Sequence, residues 1–562
     1  MYLQYKLYKD ANNDTSDVLK EVLKNRGIDD HYTYMNLDES VVIPYQNLDN
    51  IDEAVALFMR HFNEKNKIGV LVDEDPDGFC SASMMYSYIK KMDEDYPVEY
   101  ILHTRAKAHG LSDDVTIPSD VKLLIIPDAG TNDTEQCKTL SENGVDILII
   151  VDSLDKDTSQ YEELHNRGVQ IIVLDHHAID SNVDYDKYVT LVSSQREYDN
   201  PSLSGAGVVW KFCKYLDEYF MNDYADEYVD LAACGILADV CDVSEDSKEN
   251  RYIVSEGLKN LKNPAVKKII GSYEFNSKAI LFSVAPLINA CCRIGRNNVA
   301  MRLFLSDENK EVLALKKQLE ECKEIQANEL ERILPSVYED FDSQNGEVLY
   351  TFIDTEYGIG GVIGNKCLEI YNRPMFILKD CGDKYCGSMR SVGYGDFMAL
   401  CNNTELAVLH GHEQASGIEV EKNKFEEFIS TVNERLSKME QTTSDEIEVD
   451  CEINIEDMTR TLVDKVKEIN KISGAGFKPI TFKVVNINEY GISSFKQGKH
   501  LVITPTDYIQ LIEWNTKANY EALEDNALMN DPIEVIGELD SGFFARKFML
   551  KVIISDLKVG VA

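Results

Sequence analysis

Three apolar runs in the first third of the chain each close on an aspartate, and those aspartates recur at nearly equal steps. The runs are Val121 to Pro127 before Asp128, Gly144-Val-Asp-Ile-Leu-Ile-Ile-Val151 before Asp152, and Gly168 to Leu174 before Asp175. A step of roughly two dozen residues is the size of one helix-plus-strand unit, so residues 120–175 predict consecutive right-handed β-α-β crossovers in a parallel sheet. The last run, Ile171-Ile-Val-Leu-Asp-His-His-Ala-Ile179, reads as a fully buried strand. Ligands of open α/β sheets gather beyond the carboxyl ends of the strands, where Asp175, His176 and His177 fall as a candidate metal-ligand set. The simpler alternative is a strand end at which the histidines cap backbone groups.

The same logic applies upstream. Lys67-Ile-Gly-Val-Leu-Val72 is a strand that opens into Asp73-Glu-Asp-Pro-Asp-Gly78 and a helix from Ser81 to Lys90. Asp73, Asp75 and Asp77 on alternate residues suit hard divalent cations, and Gly78 permits a tight entry into the helix. A calcium-binding EF-hand loop is disfavoured by the preceding strand and by the lack of a glutamate at loop position 12. Further on, Leu231-Ala-Ala-Cys-Gly-Ile-Leu-Ala-Asp239 puts one acid at the end of an apolar helix. Desolvation makes an unpaired carboxylate there costly, so Asp239 is expected to meet a cation or a donor. Asn289 and Arg293 lie in Ala285-Pro-Leu-Ile-Asn-Ala-Cys-Cys-Arg-Ile-Gly295. They are either structural polar residues or a phosphate clamp beside the acidic cluster.

Residues 1–66 read as a polar, mostly helical lead-in whose last helix carries Val55, Phe58, Met59 and Phe62 on one face. Residues 308–345 form a connecting helix with Val312, Leu315, Leu319 and Cys322 in one stripe. A second α/β region, 346–440, contains Gly360-Gly-Val-Ile-Gly364, Gly387-Ser-Met-Arg-Ser391 and His410-Gly-His-Glu-Gln-Ala-Ser-Gly417. Small residues around Ser388, Arg390, Gly411 and His412 allow close approach of a phosphate or base. From 445 to 562 the texture is β-rich, with five short strands and one helix (Met458 to Ile472), which suggests a small OB-type barrel. Lys499 and His500 lie at the start of one of its strands. Since this region is far in sequence from every candidate ligand, it is expected to serve binding rather than cleavage, or else to be an interaction module with no nucleic-acid role.

A formal net charge of −41 over 562 residues excludes bulk attraction to nucleic acid or an anionic membrane as a driver of binding. Phosphate recognition must then come from metal ions or a local basic groove. The Met1-Tyr-Leu-Gln start lacks a basic region followed by an apolar core, so no secretory signal is expected, and no apolar run approaches a bilayer span. Thirteen scattered cysteines without a paired CxxC pattern read as thiols of a reducing cytoplasm.

In this order the motifs resemble the DHH phosphoesterase superfamily and, within it, RecJ-type single-strand-DNA-specific exonucleases, with a texture closest to phage or prophage versions. Asp73-Glu-Asp-Pro-Asp-Gly78 is similar to the first motif of that family, Asp128-Ala-Gly130 to the second, Asp175-His-His177 to the name-giving third and Ala238-Asp239 to the fourth. The resemblance implies an α/β architecture: a parallel-sheet DHH domain (67–307), a connecting helix (308–345), a smaller α/β DHHA1 domain (346–440) and an OB-like domain (445–562). It also implies a two-metal phosphodiesterase using Mn²⁺, with Mg²⁺ as an alternative, held by Asp73, Asp75, Asp77, Asp128, Asp175, His176 and Asp239.

Asp152 is the alternative to Asp128. Chain order and the Asp-x-Gly context favour Asp128, spacing to Asp175 favours Asp152, and Asp128 is preferred. His177, Arg293 and Asn289 would act on the phosphate, and Ser388, Arg390, Gly411, His412, Lys499 and His500 would bind the strand. The implied activity is 5′-to-3′ hydrolysis of single-stranded DNA in replication, recombination or repair. The protein would be a cytoplasmic monomer of a bacterium or phage-infected host, working with a single-strand-binding protein or helicase and with no membrane. The competing readings are a phosphodiesterase of short oligonucleotides or cyclic dinucleotides, a pyrophosphatase, and a non-catalytic DNA-binding scaffold.

Overall fold

The computed structural model describes residues 4–7, 18–103, 115–127, 145–150, 162, 172–175, 184, 187, 190–194, 198–271, 274–441, 446–495, 499–514, 532–544 and 546–559. Its lead-in is not helical throughout. It begins with strand β1 (Gln4–Leu7), which later meets a partner more than 400 residues away. The helix Ile51–Asn63 follows, and its Val55, Phe58, Met59 and Phe62 are buried as the periodicity requires.

The first sheet holds β2 (Lys67–Leu71), β3 (Val98–Ile101), β4 (Val121–Pro127), β5 (Asp146–Ile150), β6 (Ile172–Asp175) and β7 (Thr190–Ser193) in the order β3-β2-β4-β5-β6-β7. Every neighbouring pair is parallel. The carboxyl ends of β2, β4, β5 and β6 therefore share one edge, as the repeated strand-plus-aspartate pattern predicts. Strand β7 lies outside that pattern, because Thr190-Leu-Val-Ser193 is too short a run to stand out.

A 34-residue helix, Asn309–Asp342, leads to a second sheet. Its strands are β8 (Leu349–Phe352), β9 (Met375–Asp380), β10 (Lys384–Arg390), β11 (Ala407–His412) and β12 (Ala415–Glu421), in the order β11-β12-β10-β9-β8. One face packs on Phe425, Phe428 and Val432 of the helix Phe425–Leu436. The other packs on Leu330, Ile333 and Val337 of the long helix and on Ile363 of the helix Gly360–Tyr371.

The C-terminal region departs from the barrel expected of it. Strand β13 (Glu446–Val449) pairs in parallel with β1. The remaining strands are β14 (Cys451–Asn454), β15 (Phe482–Ile487), β16 (Gly491–Phe495), β17 (His500–Thr506), β18 (Ile509–Glu513), β19 (Ile533–Phe544) and β20 (Lys547–Val559). They form one mixed sheet ordered β14-β15-β19-β20-β18-β17-β16. Closing a barrel requires the two end strands to pair, and among the described residues β14 and β16 do not. The apolar runs Ile533 to Leu539 and Phe548 to Ile554 are arms of one long hairpin. In it the polar stretch Asp540-Ser541-Gly542 stays paired, with Asp540 opposite Lys551 and Gly542 opposite Met549.

This sheet is also not remote from the first lobe. A single apolar core runs from Phe58, Phe79 and Leu237 through Val463, Val466 and Phe477 to Phe482, Leu511 and Val552. Arg26 clasps Asp450 with two hydrogen bonds of 2.7 and 2.6 Å, fastening the lead-in to the C-terminal region.

Candidate active site

Strand β2 delivers its acids directly into the site. Val72 still donates to Ile101 O, after which Asp73 and Glu74 are buried and Asp75 caps the helix Pro76–Met92 by accepting from Gly78 N at 2.8 Å. Pro76 occupies the first helical turn, where its missing N–H costs nothing. The predicted helix start at Ser81 is thus five residues late.

Asp77 is buried on the inner side of this turn. One of its oxygens accepts from Ser204 Oγ at 3.2 Å and from Ala206 N at 3.1 Å, at the start of the helix Gly205–Phe220. Bare backbone makes room for these carboxylates. A Cβ on Gly78 would fall 2.6 Å from Asp73 Cβ, and one on Gly235 would fall 1.9 Å from Asp77 Oδ1. Glu74, which drew no attention in the sequence, accepts from Asn297 Nδ2.

Asp239 is the C-cap of the helix Val229–Ala238, half-buried, and accepts from Cys241 Sγ at 3.4 Å. The helix Ala285–Arg293 ends beside the acidic turn. Burial, followed by the charges of Glu74 and Asp75, raises the Cys292 thiol well above its ordinary pKa. A thiol kept protonated is no metal ligand, and the donors around the turn are carboxylate oxygens. That chemistry fits hard divalent cations rather than a thiolate zinc site. Among the described residues no three carboxylates, imidazoles or thiols converge as a complete metal cluster. The side chains of Asp128, Asp152, His176 and His177 lie outside the described residues, and Asp175 is described as the backbone end of β6.

Sheet order bears on the choice between Asp128 and Asp152. Strand β4 is hydrogen-bonded directly to β2, and β5 lies between β4 and β6. At ~4.8 Å per strand, β6 stands ~14 Å from β2 across the sheet.

Two arginines from different lobes are close enough for their charges to interact. Arg293 donates to Gln326 Oε1 of the long helix at 3.4 Å, and its own carbonyl accepts from Gly358 N at 3.0 Å. Arg390 ends β10, donating to Asn365 Oδ1 at 2.7 Å and to Met389 O at 2.7 Å. Gly361 and Gly364 form its bed: a Cβ on Gly361 would lie 2.4 Å from Arg390 Nη2, and one on Gly364 would lie 2.8 Å from Arg390 Cγ. Ser388 stands two residues away on the same face of the strand, 3.2 Å from the position of a Cβ on Gly360.

Burial lowers the pKa of both guanidiniums, and the charge of Arg293 lowers that of Arg390 further. Neither has a carboxylate ion-pair partner among the described residues. Asn289 is half-buried one helical turn before Arg293, on the same helix face. Gln326 and Asn365, which orient the two arginines, were missed in the sequence. The signal available for Gln326 was a polar residue continuing an otherwise apolar stripe.

Gly411 and His412 are described only as backbone at the end of β11. Lys499 is exposed at the turn before β17. His500, expected to contact the strand, is buried. It is 6 % exposed, with its ring 4.6 Å from Phe495 and 5.1 Å from Trp514. The exposed groups on this face are Phe495 and Trp514, set edge to face at 5.6 Å.

Residues 67–236 match the DHH family, N-terminal domain. Over 476 residues the chain is 31 % identical to the protein of Bacillus subtilis strain 168 named as an SPbeta prophage-derived single-strand DNA-specific exonuclease, YorK, covering 77 % of this chain and 76 % of that one. This chain belongs to the DHH family, RecJ type.

The single-stranded-DNA-specific exonuclease RecJ of Bacillus subtilis is 24 % identical over 448 residues, covering 75 % of this chain and 52 % of that one. The structure of Thermus thermophilus RecJ in complex with Mn²⁺ superposes with a TM-score of 0.72 at 20 % identity, covering 96 % of this chain and 76 % of that one. The DHH match spans the Asp73 turn and β2 to β7, and Asp239 falls just beyond its end.

Proposed function

We propose that this chain is a divalent-metal-dependent exonuclease that hydrolyses phosphodiester bonds of single-stranded DNA from the 5′ end. The observation that carries the reading is the pairing of an acidic strand edge with two half-buried, mutually repelling arginines from two lobes. Such an arrangement suits an anion held between metal and guanidinium. The kinship with proteins named as single-strand-DNA exonucleases supports the choice of substrate.

Asp73, Asp75, Asp77, Asp175, His176 and Asp239, with Asp128 in preference to Asp152, would hold two divalent ions, Mn²⁺ with Mg²⁺ as alternative. When bound, such ions supply an activated water and neutralise the phosphate. Arg293, oriented by Gln326, and Arg390, oriented by Asn365, hold the phosphate oxygens at the groove. His177 and Asn289 donate to charge developing on them. Ser388, with Gly411 and His412, lines the path of the strand end, and Lys499, Phe495 and Trp514 offer a charge and two ring faces to bases further along.

The division into a lead-in (1–66), DHH domain (67–307), connecting helix (308–345), DHHA1 domain (346–440) and OB-like C-terminal module (445–562) belongs to the same reading. So do a monomeric state, cytoplasmic action in DNA recombination or repair, and accessory partners such as a single-strand-binding protein or helicase. Among the described residues no helix is long and apolar enough to cross a membrane.

The test is digestion of end-labelled single strands of DNA and RNA, each blocked at one end, by the purified protein with Mn²⁺. Mononucleotide release from DNA with a free 5′ end is expected. Attack only from 3′ ends, equal attack on blunt duplex, or turnover restricted to dinucleotides would overturn the reading.

A further inference from the structure

The turn that carries Asp239 is strained, and what holds it comes from the C-terminal region. The helix Val229–Ala238 ends with Val240 N donating to Leu237 O at 3.2 Å and Cys241 N donating to Ile236 O at 3.0 Å. This is the Schellman arrangement, whose residue after the cap adopts the left-handed conformation and is usually glycine. Here it is Val240, with φ at 58°, a β-branched residue in a region such residues avoid. Its side chain is 64 % exposed, so burial of the valine does not compensate.

Compensation enters two residues later. Asp242 and Ala475 form an isolated parallel bridge, in which Val243 N donates to Ala475 O at 3.0 Å. Gly476, with φ at 70°, leaves bare backbone against Asp242: a Cβ there would lie 1.7 Å from Asp242 Oδ1. Arg251 joins the two segments. Its Nη1 donates to Val243 O at 3.3 Å and to Ile472 O at 3.1 Å. The buried guanidinium lies 4.0 Å from the Tyr34 ring and 4.9 Å from the Phe477 ring. Among the described residues it forms no salt bridge, and ring faces, carbonyl oxygens and the charge of Glu245 offset its burial. Ser473 N, donating to Ser277 Oγ at 3.1 Å, anchors the start of the segment.

We propose that Ile472–Phe477, acting through Arg251 and the Asp242–Ala475 bridge, is a brace that holds Asp239 in its metal-binding position. The C-terminal region would thereby set metal affinity as well as contact DNA. Arg251 and Gly476 are positioning residues, and the inference rests on the reading of Asp239 as a metal ligand. Lysine cannot reproduce the two-carbonyl, two-ring engagement of Arg251. Outer partners of metal ligands change metal affinity by ~10–100-fold when replaced.

The test measures Mn²⁺ binding to the full-length protein without DNA, by the electron paramagnetic resonance signal of free Mn²⁺, alongside Tm, kcat and KM. Arg251→Lys and Gly476→Ala are each expected to weaken Mn²⁺ binding ~10-fold, with KM for DNA unchanged and kcat recovered at saturating Mn²⁺. Val240→Gly in the Arg251→Lys background is expected to restore most of the lost affinity, because glycine adopts the left-handed turn freely. A purely structural Arg251 would lower Tm without that rescue. Unchanged Mn²⁺ affinity in folded Arg251→Lys and Gly476→Ala, with Asp239→Asn weakening it, overturns the brace and leaves the site reading intact. Undiminished Mn²⁺ binding and turnover in Asp239→Asn would overturn the site reading and the brace with it.

Discussion

Arg293 and Arg390 come from different lobes, and the charge of the first depresses the pKa of the second. Replacing either by glutamine removes one of two repelling, half-buried charges. Activity and stability should therefore move in opposite directions. The expected result is a fall in kcat/KM on single-stranded DNA of ~10²-fold, ~2.7 kcal/mol, with Tm unchanged or raised. A variant that loses activity and stability together would mark the arginine as structural.

The choice between Asp128 and Asp152 is open to a paired measurement. Strand β4, which ends at Pro127, is hydrogen-bonded to β2 and so to the strand that carries the Asp73 turn. At saturating Mn²⁺, Asp128→Ala is expected to lose at least ~100-fold in rate, ~2.7 kcal/mol of barrier, and Asp152→Ala much less. The reverse ranking would show that spacing to Asp175 decides the ligand.

The lead-in should prove inseparable from the first lobe. Lys211 and Glu249 form a fully buried ion pair, and Glu249 also accepts from Tyr198 Oη, Asn200 Nδ2 and Ile43 N. Lys211→Met strands a buried carboxylate among donors that cannot neutralise it. Denaturant titration should report a loss of ~3–5 kcal/mol.

On the C-terminal sheet, Trp514→Ala should weaken binding of long single strands by ~1–3 kcal/mol while sparing dinucleotide cleavage. Fluorescence anisotropy of labelled strands reads the first quantity and product release the second. His500, buried beneath Phe495 and Trp514, should instead cost stability when replaced.

Removing residues 445–562 should not give the selective binding defect that sequence distance suggested. Val463, Phe477 and Phe482 share a core with Phe79 and Leu237, and Asp450 holds Arg26. The truncated chain is expected to show no cooperative unfolding transition in calorimetry and no turnover of any substrate.

The candidate ligands stand out along the chain because their chemistry is local. Asp73, Asp75 and Asp77 need only a strand end and a glycine-permitted turn to declare themselves, and Asp239 needs only an apolar helix. Arg293 was legible for the same reason. Gln326 and Asn365 were not, since each acquires its role by orienting an arginine that is tens of residues away. The burial of His500 was not legible, because strand alternation does not say which face another aromatic pair covers. The open sheet was misread as a barrel because the hairpin β19–β20 continues through Asp540-Ser541-Gly542. Its pairing there comes from the opposite strand, which an apolar pattern does not report.

By itself, then, the sequence determined the parallel sheet of the first lobe, the edge on which its acids lie and the family to which the chain belongs. Apolar periodicity, strand-end aspartates and glycine turns are properties of short segments. Only the tertiary structure decided that β5 lies between β4 and β6, that two arginines converge without carboxylates, and that Ile472–Phe477 meets the turn after Asp239. Those relationships arise from shared desolvation and backbone pairing between segments up to several hundred residues apart, and the energies that select them exist only once the segments are packed.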